Sequence, residues 1–347
     1  MPNVELLLVR TSLNPNYYTN TMKGLVNEMN KKPPEMAWVE ELHPELTAYC
    51  YRMLGCVFDA EDAVQDTMLR AWKGWDSFRN ESSPRTWIYR IATNVCLDKT
   101  RGSKRRVMPI DFSDPAATVR LPTETLPLAN WVWPVPDNAI DPVDVTIRKD
   151  TIRLAFIAAL QTLPPRQRVV LILQDVYRWS ATQTARALGT SITAVNSALQ
   201  RARRTLNRAN LNSETLNDVD SEVNRGLIDR YVDAFERYDI DALLELFHED
   251  GSISMPPFVM WISGRGDLAT FYEITRSHCV GSRLLPTRVN GTAALAQYAP
   301  GQSNEQLVPW GIHVPEIRDN RIIHVHTFIH PALYSRLGLP TKLDLTI

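Results

Sequence analysis

Cysteine is scarce in this sequence, and what there is forms no pattern. Cys50, Cys56, Cys96 and Cys279 make no Cys-x-x-Cys pair and are too few for a disulfide scaffold, which points to a reducing compartment. Long apolar runs are also missing. Nothing approaches the ~20 residues needed to cross a bilayer, and Val4 to Val9 is too short for a signal core, so no membrane partner and a cytoplasmic location are expected. Net charge is the third absence: 38 Lys and Arg against 39 Asp and Glu leave −1 over 347 residues. That balance argues against nucleic-acid binding by the chain as a whole, but it conceals a split. Residues 143–210 carry 11 basic and 3 acidic side chains, whereas 211–347 carry 11 and 18. A basic middle is followed by an acidic tail. The length exceeds one ordinary domain, and two or three are expected.

The stretch around which the chain is organised is 179–208, WSATQTARALGTSITAVNSALQRARRTLNR. Thr182 offers a helix N-cap, Ala185 and Leu188 an inner face, and Gly189 a left-handed end. Thr190 and Ser191 can cap a second helix with an apolar stripe of Ile192, Val195, Leu199, Ala202 and Leu206. Its opposite face presents Asn196, Ser197, Gln200, Arg201, Arg203, Arg204 and Arg208, side chains that reach base edges or phosphates. Two such helices about a short Gly-containing turn form a helix-turn-helix, whose second helix enters the major groove. The plainer alternative is a charged, solvated helix on an ordinary helical domain.

Residues 1–35 are polar without a sustained period and read as a disordered extension, or as a mis-assigned start with Met22, Met29 or Met36 as alternatives. Residues 36–106 read as three or four helices. One carries Leu46, Tyr49, Cys50, Met53 and Leu54; the next, capped by Asp59, runs to Trp72 and bears an acidic face of Glu61, Asp62, Gln65 and Asp66. A loop from Phe78 to Ser83 leads into a helix from Arg85 to about Asp98, with Trp87 and Asn94, that continues into Lys99, Arg101, Lys104, Arg105 and Arg106. Aromatic rings at its start and a basic tail suit separated DNA strands, through stacking and phosphate contact. Residues 107–142 hold seven prolines and no glycine, which makes an extended, stiff linker. Within it Trp131 and Trp133 are expected to dock against a folded domain. An apolar helix is predicted over 143–163; Pro164 and Pro165 open the next, with Arg166 and Arg168 at its head, where phosphates are within easy reach.

DAEDAVQDTMLRAW, SFRNESSPRTWIYRIATNVCLD and LPPRQRVVLILQDVYRWSATQTARALGTSITAVNSALQRARRTL together resemble regions two and four of the extracytoplasmic-function (ECF) sigma factors. That resemblance implies a promoter-specificity subunit whose partners are bacterial RNA polymerase core and promoter DNA, with no enzymatic activity, cofactor or metal of its own. It implies a polymerase grip by Asp62, Gln65 and Asp66. It implies that Phe78, Arg79, Asn80, Glu81 and Ser82 pocket a flipped base of the minus-ten element, with Trp87, Asn94 and Arg101 on the same surface. Minus-thirty-five reading falls to Arg166, Asn196, Ser197, Gln200, Arg201, Arg203 and Arg204. Two other readings stay open: a stand-alone helix-turn-helix regulator, and a ligand-processing enzyme with a DNA-binding front end.

Past residue 212 two helices are followed by strand signals at 252–255, 258–262, 283–289, 293–299, 306–314 and 321–329, with a helix at 266–277. The fold class expected is therefore multidomain: two all-α domains (36–106 and 143–212) joined by a Pro-rich linker (107–142), then an α+β domain over 213–340. The order of the last part, with HEDGSISMPP, GRGDLATFY and SRLLPTRVNG, resembles the SnoaL-like (NTF2-like) cone, which holds a pocket between a curved sheet and its helices. Asp250, Trp261, His278, Tyr298, His324 and His326 are the pocket candidates. His324, His326 and His330 share a strand face, but with no third ligand in view they make no metal site. The resemblance also implies that this fused domain tunes sigma activity, with a small molecule as its candidate ligand.

Overall fold

The computed structural model describes residues 37–78, 83–102, 104–208, 222–301 and 306–344. The expectations for the N-terminal extension, for Arg79, Asn80, Glu81 and Ser82, and for the segment 209–221 lie outside the described residues.

The front of the chain is a helical bundle of α1 (Ala37–Glu41), α2 (His43–Leu54), α3 (Val57–Gly74) and α4 (Pro84–Thr100). Gly55 ends α2 at φ 68°, and a Cβ there would lie 2.9 Å from the Gln161 side chain, so position and contact both call for glycine. Helix α3 starts two residues before the predicted cap. Cys56 is its N-cap, while Asp59 sits inside the first turn and is ion-paired to Arg106. Ser83 caps α4 by accepting from the Thr86 N–H at 3.1 Å, and Pro84 is its first residue, where a missing N–H costs nothing.

The linker contains one short helix, α5 (Pro109–Phe112), and is otherwise mostly extended. It then enters α6 (Pro142–Thr146), a 3-10 turn at Lys149–Thr151 and α7 (Leu154–Gln161). The continuous helix predicted over 143–163 is thus broken in two, because tertiary polar contacts override the apolar period. Arg52, buried on α2, donates to Asp144 Oδ1 at 2.8 Å, to Thr151 Oγ1 at 2.8 Å and to the Thr151 carbonyl at 3.1 Å. Gathering Asp144 and Thr151 about one guanidinium folds the chain back on itself.

Helix α8 (Pro165–Leu171) runs into a π-helical turn, Ile172–Val176, and is followed by α9 (Ala181–Leu188) and α10 (Ile192–Arg208). The cap of α9 is Ser180, not Thr182: Ser180 and Gln183 form a reciprocal capping box. Gly189 ends α9 at φ 60°. The buried stripe of α10 is Val195, Ala198 and Ala202, and Ile192 is 46% exposed. The stripe is rotated because the partner of α10 is α8 and the small Ala198 permits close approach.

The tail folds as α11 (Glu222–Glu236), α12 (Ile240–Leu246), β1 (Phe247–Ser254), β2 (Trp261–Ser263), α13 (Arg265–Cys279), β3 (Arg283–Val289), β4 (Thr292–Pro300), β5 (Gln306–Arg318), β6 (Arg321–Phe328), α14 (Ala332–Arg336) and β7 (Leu343–Asp344). The sheet order is β2-β1-β6-β5-β4-β3, with β7 beside β5; β1 and β6 are parallel and the other pairs antiparallel. The strand predicted at 258–262 shrinks to β2 because the backbone before it pairs with the linker instead: Val259 N–H donates to the Glu124 carbonyl and Leu126 N–H to the Pro257 carbonyl. Both faces of the sheet are covered. Leu295, Ile317 and Val325 pack with α11 and α13, while Ala294, Ala296, Tyr298 and Phe328 join one continuous core with the linker and the helical bundle.

Candidate functional site

On α3 the side chain of Gln65 is exposed, and Asp62 and Asp66 are half-buried. Lys99 on α4 approaches Asp66 at 3.8 Å. Burial raises the Asp62 carboxyl above its ordinary range, and Lys99 partly opposes that. One residue away, Glu61 is held by Arg336 of α14, whose Nε donates to both carboxylate oxygens at 3.1 and 2.9 Å, and the guanidinium lies 4.4 Å over the Phe58 ring.

Phe78 stacks on Trp75 with ring centroids 5.6 Å apart and lies 5.0 Å from Trp87, forming an aromatic floor at the start of α4. Arg79 to Ser82 lie outside the described residues. Asn94 is exposed on α4, and Arg101 is exposed beyond it with Asp98 at 3.4 Å. Asn196, Gln200, Arg201 and Arg204 are exposed on α10, and Ser197 is half-buried. Arg203 is instead clamped by Asp175, with contacts of 3.0 and 2.6 Å. Arg166 is exposed, but Arg168, expected beside it at the phosphate surface, points inward. It donates to the carbonyls of Met53, Gln161 and Leu163, and burial lowers it to about 10. Arg106, expected in the basic tail of α4, likewise turns in and donates to the Trp131 carbonyl at 2.8 Å. Alternating basic residues carry no local signal of which one will be recruited to a distant carbonyl. The fold brings Asn94, Arg166 and Arg201 together: all three line one cleft of about 310 Å³ between α4 and the helix-turn-helix.

Residues 38–106 match the Sigma-70 region 2 family, 153–206 the Sigma-70 region 4 family and 228–325 the SnoaL-like domain family. ECF RNA polymerase sigma factor SigG of Mycobacterium tuberculosis is 40% identical over 313 residues, 88% of this chain and 84% of that one. This chain belongs to the ECF RNA polymerase sigma factors. As a sigma factor it binds RNA polymerase core and directs initiation at promoter DNA. The sigma factor SigW of Bacillus subtilis is 30% identical over 161 residues, covering 46% of this chain and 79% of that one. The crystal structure of Mycobacterium tuberculosis SigJ has the same fold, at TM-score 0.56 and 23% identity over 87% of this chain and 98% of that one.

In this sigma factor the linker tryptophans are buried between the other parts. Trp133 packs on Phe58 of α3, on Phe328 of β6 and on His330, with centroids 6.2, 6.0 and 5.3 Å away. The Asn290-Gly291 hairpin turn joining β3 and β4, with φ 55° and 70°, enters the same junction. Asn290 Nδ2 donates to the Tyr51 hydroxyl at 2.8 Å and the Ile152 carbonyl at 2.6 Å, and its Oδ1 accepts from Val135 N–H at 3.1 Å. One buried amide thus touches α2, the linker and the start of the region-four domain. The sequence signal for it was the Asn-Gly pair alone, which specifies a turn but not its partners.

The cone holds a cavity of about 100 Å³ on the α11–α13 side of the sheet, with Tyr231, Phe235, Tyr272, Gln297 and His313 in its wall. Of the pocket candidates only His278 lines it; Asp250, Trp261, Tyr298, His324 and His326 do not. His324 and His326 sit on the opposite strand face, where the serines of β1 hold them: Ser252 Oγ lies 2.6 Å from His324 Nδ1 and Ser254 Oγ 3.1 Å from His326 Nδ1. Burial pushes His324 well below its usual range. Tyr298 shares that face and donates to the Pro340 carbonyl at 2.8 Å, and Trp261 Nε1 donates to the linker carbonyl of Ser113 at 2.8 Å. Alternation shows which residues share a face; it does not say which face forms the pocket when both are covered. No group of three metal-ligating side chains occurs among the described residues, and no described helix is long and apolar enough to cross a membrane.

Proposed function

We propose that Asp62, Gln65 and Asp66 grip the polymerase. Phe78, Trp87, Asn94 and Arg101, with the loop Arg79 to Ser82, read the minus-ten element, and Arg166, Asn196, Ser197, Gln200, Arg201 and Arg204 read the minus-thirty-five element. The domain division at 36–106, 107–142, 143–212 and 213–340 goes with these roles. The two promoter elements are separated by more than two turns of duplex, roughly 80 Å at about 34 Å per turn. Asn94, Arg166 and Arg201 line one cleft. The described arrangement is therefore a closed form, in which the two reading surfaces cannot engage one promoter together.

The C-terminal domain holds that closed form and so tunes transcription, acting as a binding module rather than an enzyme, in the cytoplasm. The observation that carries this reading is Asn290, whose side chain ties α2, the linker and Ile152 to the tail. The cavity wall holds no Asp or Glu, and both ring nitrogens of its deeply buried His313 are engaged, by the Tyr231 hydroxyl and by Gln297 Oε1, which leaves His278 at its exposed edge as the one other candidate base and supports the non-catalytic part. Run-off transcription with purified core polymerase tests both parts. The Asn290→Ala protein and a chain ending near residue 212 should each give more promoter-specific transcript than the full chain. Equal transcript from all three would refute the closed-form reading and leave the sigma activity standing.

A further inference from the structure

The cleft between α4 and the helix-turn-helix, of about 310 Å³, lies in the size range that receives a small organic molecule. Five polar side chains line it: Asn94 from α4, Arg166 and Gln167 from α8, Thr190 from the turn after α9, and Arg201 from α10. None of these five side chains makes a hydrogen bond or ion pair among the described residues. Neighbouring arginines differ: Asp175 clamps Arg203, and backbone carbonyls hold Arg168. No Asp or Glu is among the residues lining the cleft. Two guanidinium groups thus share one concave surface whose wall supplies no counter-charge.

The chemistry of the wall narrows what fits it. Each guanidinium presents a planar fork of donors; a phosphate, with three free oxygens, serves two forks at once, whereas a carboxylate has two oxygens and fills one. Asn94 and Gln167 carry amides that donate and accept, and the Thr190 hydroxyl does the same, which suits sugar hydroxyls or the edge of a base. Leu97, Val170, Leu188 and Val195 add an apolar part of the wall, against which the face of a flat ring can lie. A DNA duplex is too wide for a cleft of this size.

We propose that this cleft is the binding site of a nucleoside phosphate, its phosphates shared between Arg166 and Arg201 and its base on the apolar part of the wall. Asn94 and Leu97 belong to region two and the other lining residues to region four, so the site is complete only where the two are packed together. A ligand that needs both walls favours that packing by its differential affinity. It also occupies two arginines proposed to read the minus-thirty-five element. The consequence for transcription rests on the closed-form reading, whereas binding rests on the cleft alone.

The test is calorimetric titration of the full-length protein, at one ionic strength, with ADP, adenosine, pyrophosphate and triglutamate. ADP should bind best, because it alone carries both the phosphates and the ring. Gln167→Glu sets a carboxylate in the wall at the third residue of α8, where the start of a helix favours an acid; it should weaken ADP about tenfold and leave adenosine unchanged. Arg201→Gln should weaken ADP to a similar extent, and Arg204→Gln, on the same helix but outside the cleft, should not. No saturable ADP binding, or undiminished binding by Gln167→Glu, overturns the site. Equal losses in Arg201→Gln and Arg204→Gln would mean diffuse attraction to a basic helix and overturn it as well. Adenosine or pyrophosphate binding as tightly as ADP overturns the nucleoside phosphate as ligand. Triglutamate doing so makes the occupant an acidic protein segment instead. Asn290→Ala should bind ADP more weakly than the parent; if it gives more transcript yet binds ADP equally, the dependence of the site on closure is overturned. Neither polymerase nor DNA enters the titrations, so a failure here is separate from a failure of the transcription test.

Discussion

At the scale of single residues, the junction depends on buried polar and charged groups. Arg52 and Asp144 both have fully buried side chains and share a 2.8 Å contact. Asp144→Ala leaves a buried guanidinium without its counter-charge, and breaking one side of such a pair costs about 3–5 kcal/mol. Chemical denaturation should show that loss, and the double replacement Arg52→Met with Asp144→Leu should recover most of it. His330 makes a second prediction. Burial and then the neighbouring Arg336 lower it to about 4, and its Nδ1 accepts from Ala332 N–H at 3.1 Å, a role protonation abolishes. The unfolded chain therefore takes up a proton near pH 6.5 that the folded protein refuses until about 4. Stability should be intact above about 6.5 and fall as pH drops toward 4, by at most about 1.4 kcal/mol per unit for this group. Denaturation at pH 7 and 5 should show a smaller drop in His330→Phe than in the parent.

At the scale of elements, the reading role proposed for α10 predicts two kinds of contact. Gln200→Ala should relax preference at one base pair, costing about 1–3 kcal/mol there. Arg204→Ala should weaken all sequences alike and reduce the salt slope of binding by about one. Competition binding on a randomised minus-thirty-five site at several salt concentrations distinguishes the two. The helix-turn-helix was legible in the sequence because its signals are local: a 3.6-residue period, a capping serine and Gly189. The strands of the tail were legible from their alternation. What could not be read was every contact made at a distance. Arg52 meets Asp144 across 92 positions and Asn290 meets Tyr51 across 239, and no period in the chain records such a pairing. The broken helix at 143–163 and the misplaced pocket histidines both follow from contacts of that kind.

At the scale of the whole molecule, Arg336 stands against Glu61, one residue from the surface assigned to the polymerase. Arg336→Ala should loosen the tail from α3 and raise affinity for core polymerase, measured by fluorescence anisotropy of labelled protein. Unchanged affinity would mean that α14 and polymerase occupy different faces. The pairing also works in the reverse direction. If α14 and the polymerase contest one acidic surface, each must weaken the other by the same factor, because coupling between two binding equilibria is reciprocal. The enzyme would then not only receive an opened sigma factor but also help to open it, acting as the effector of its own subunit. The concentration of free core in the cell would set how much of the protein is folded shut.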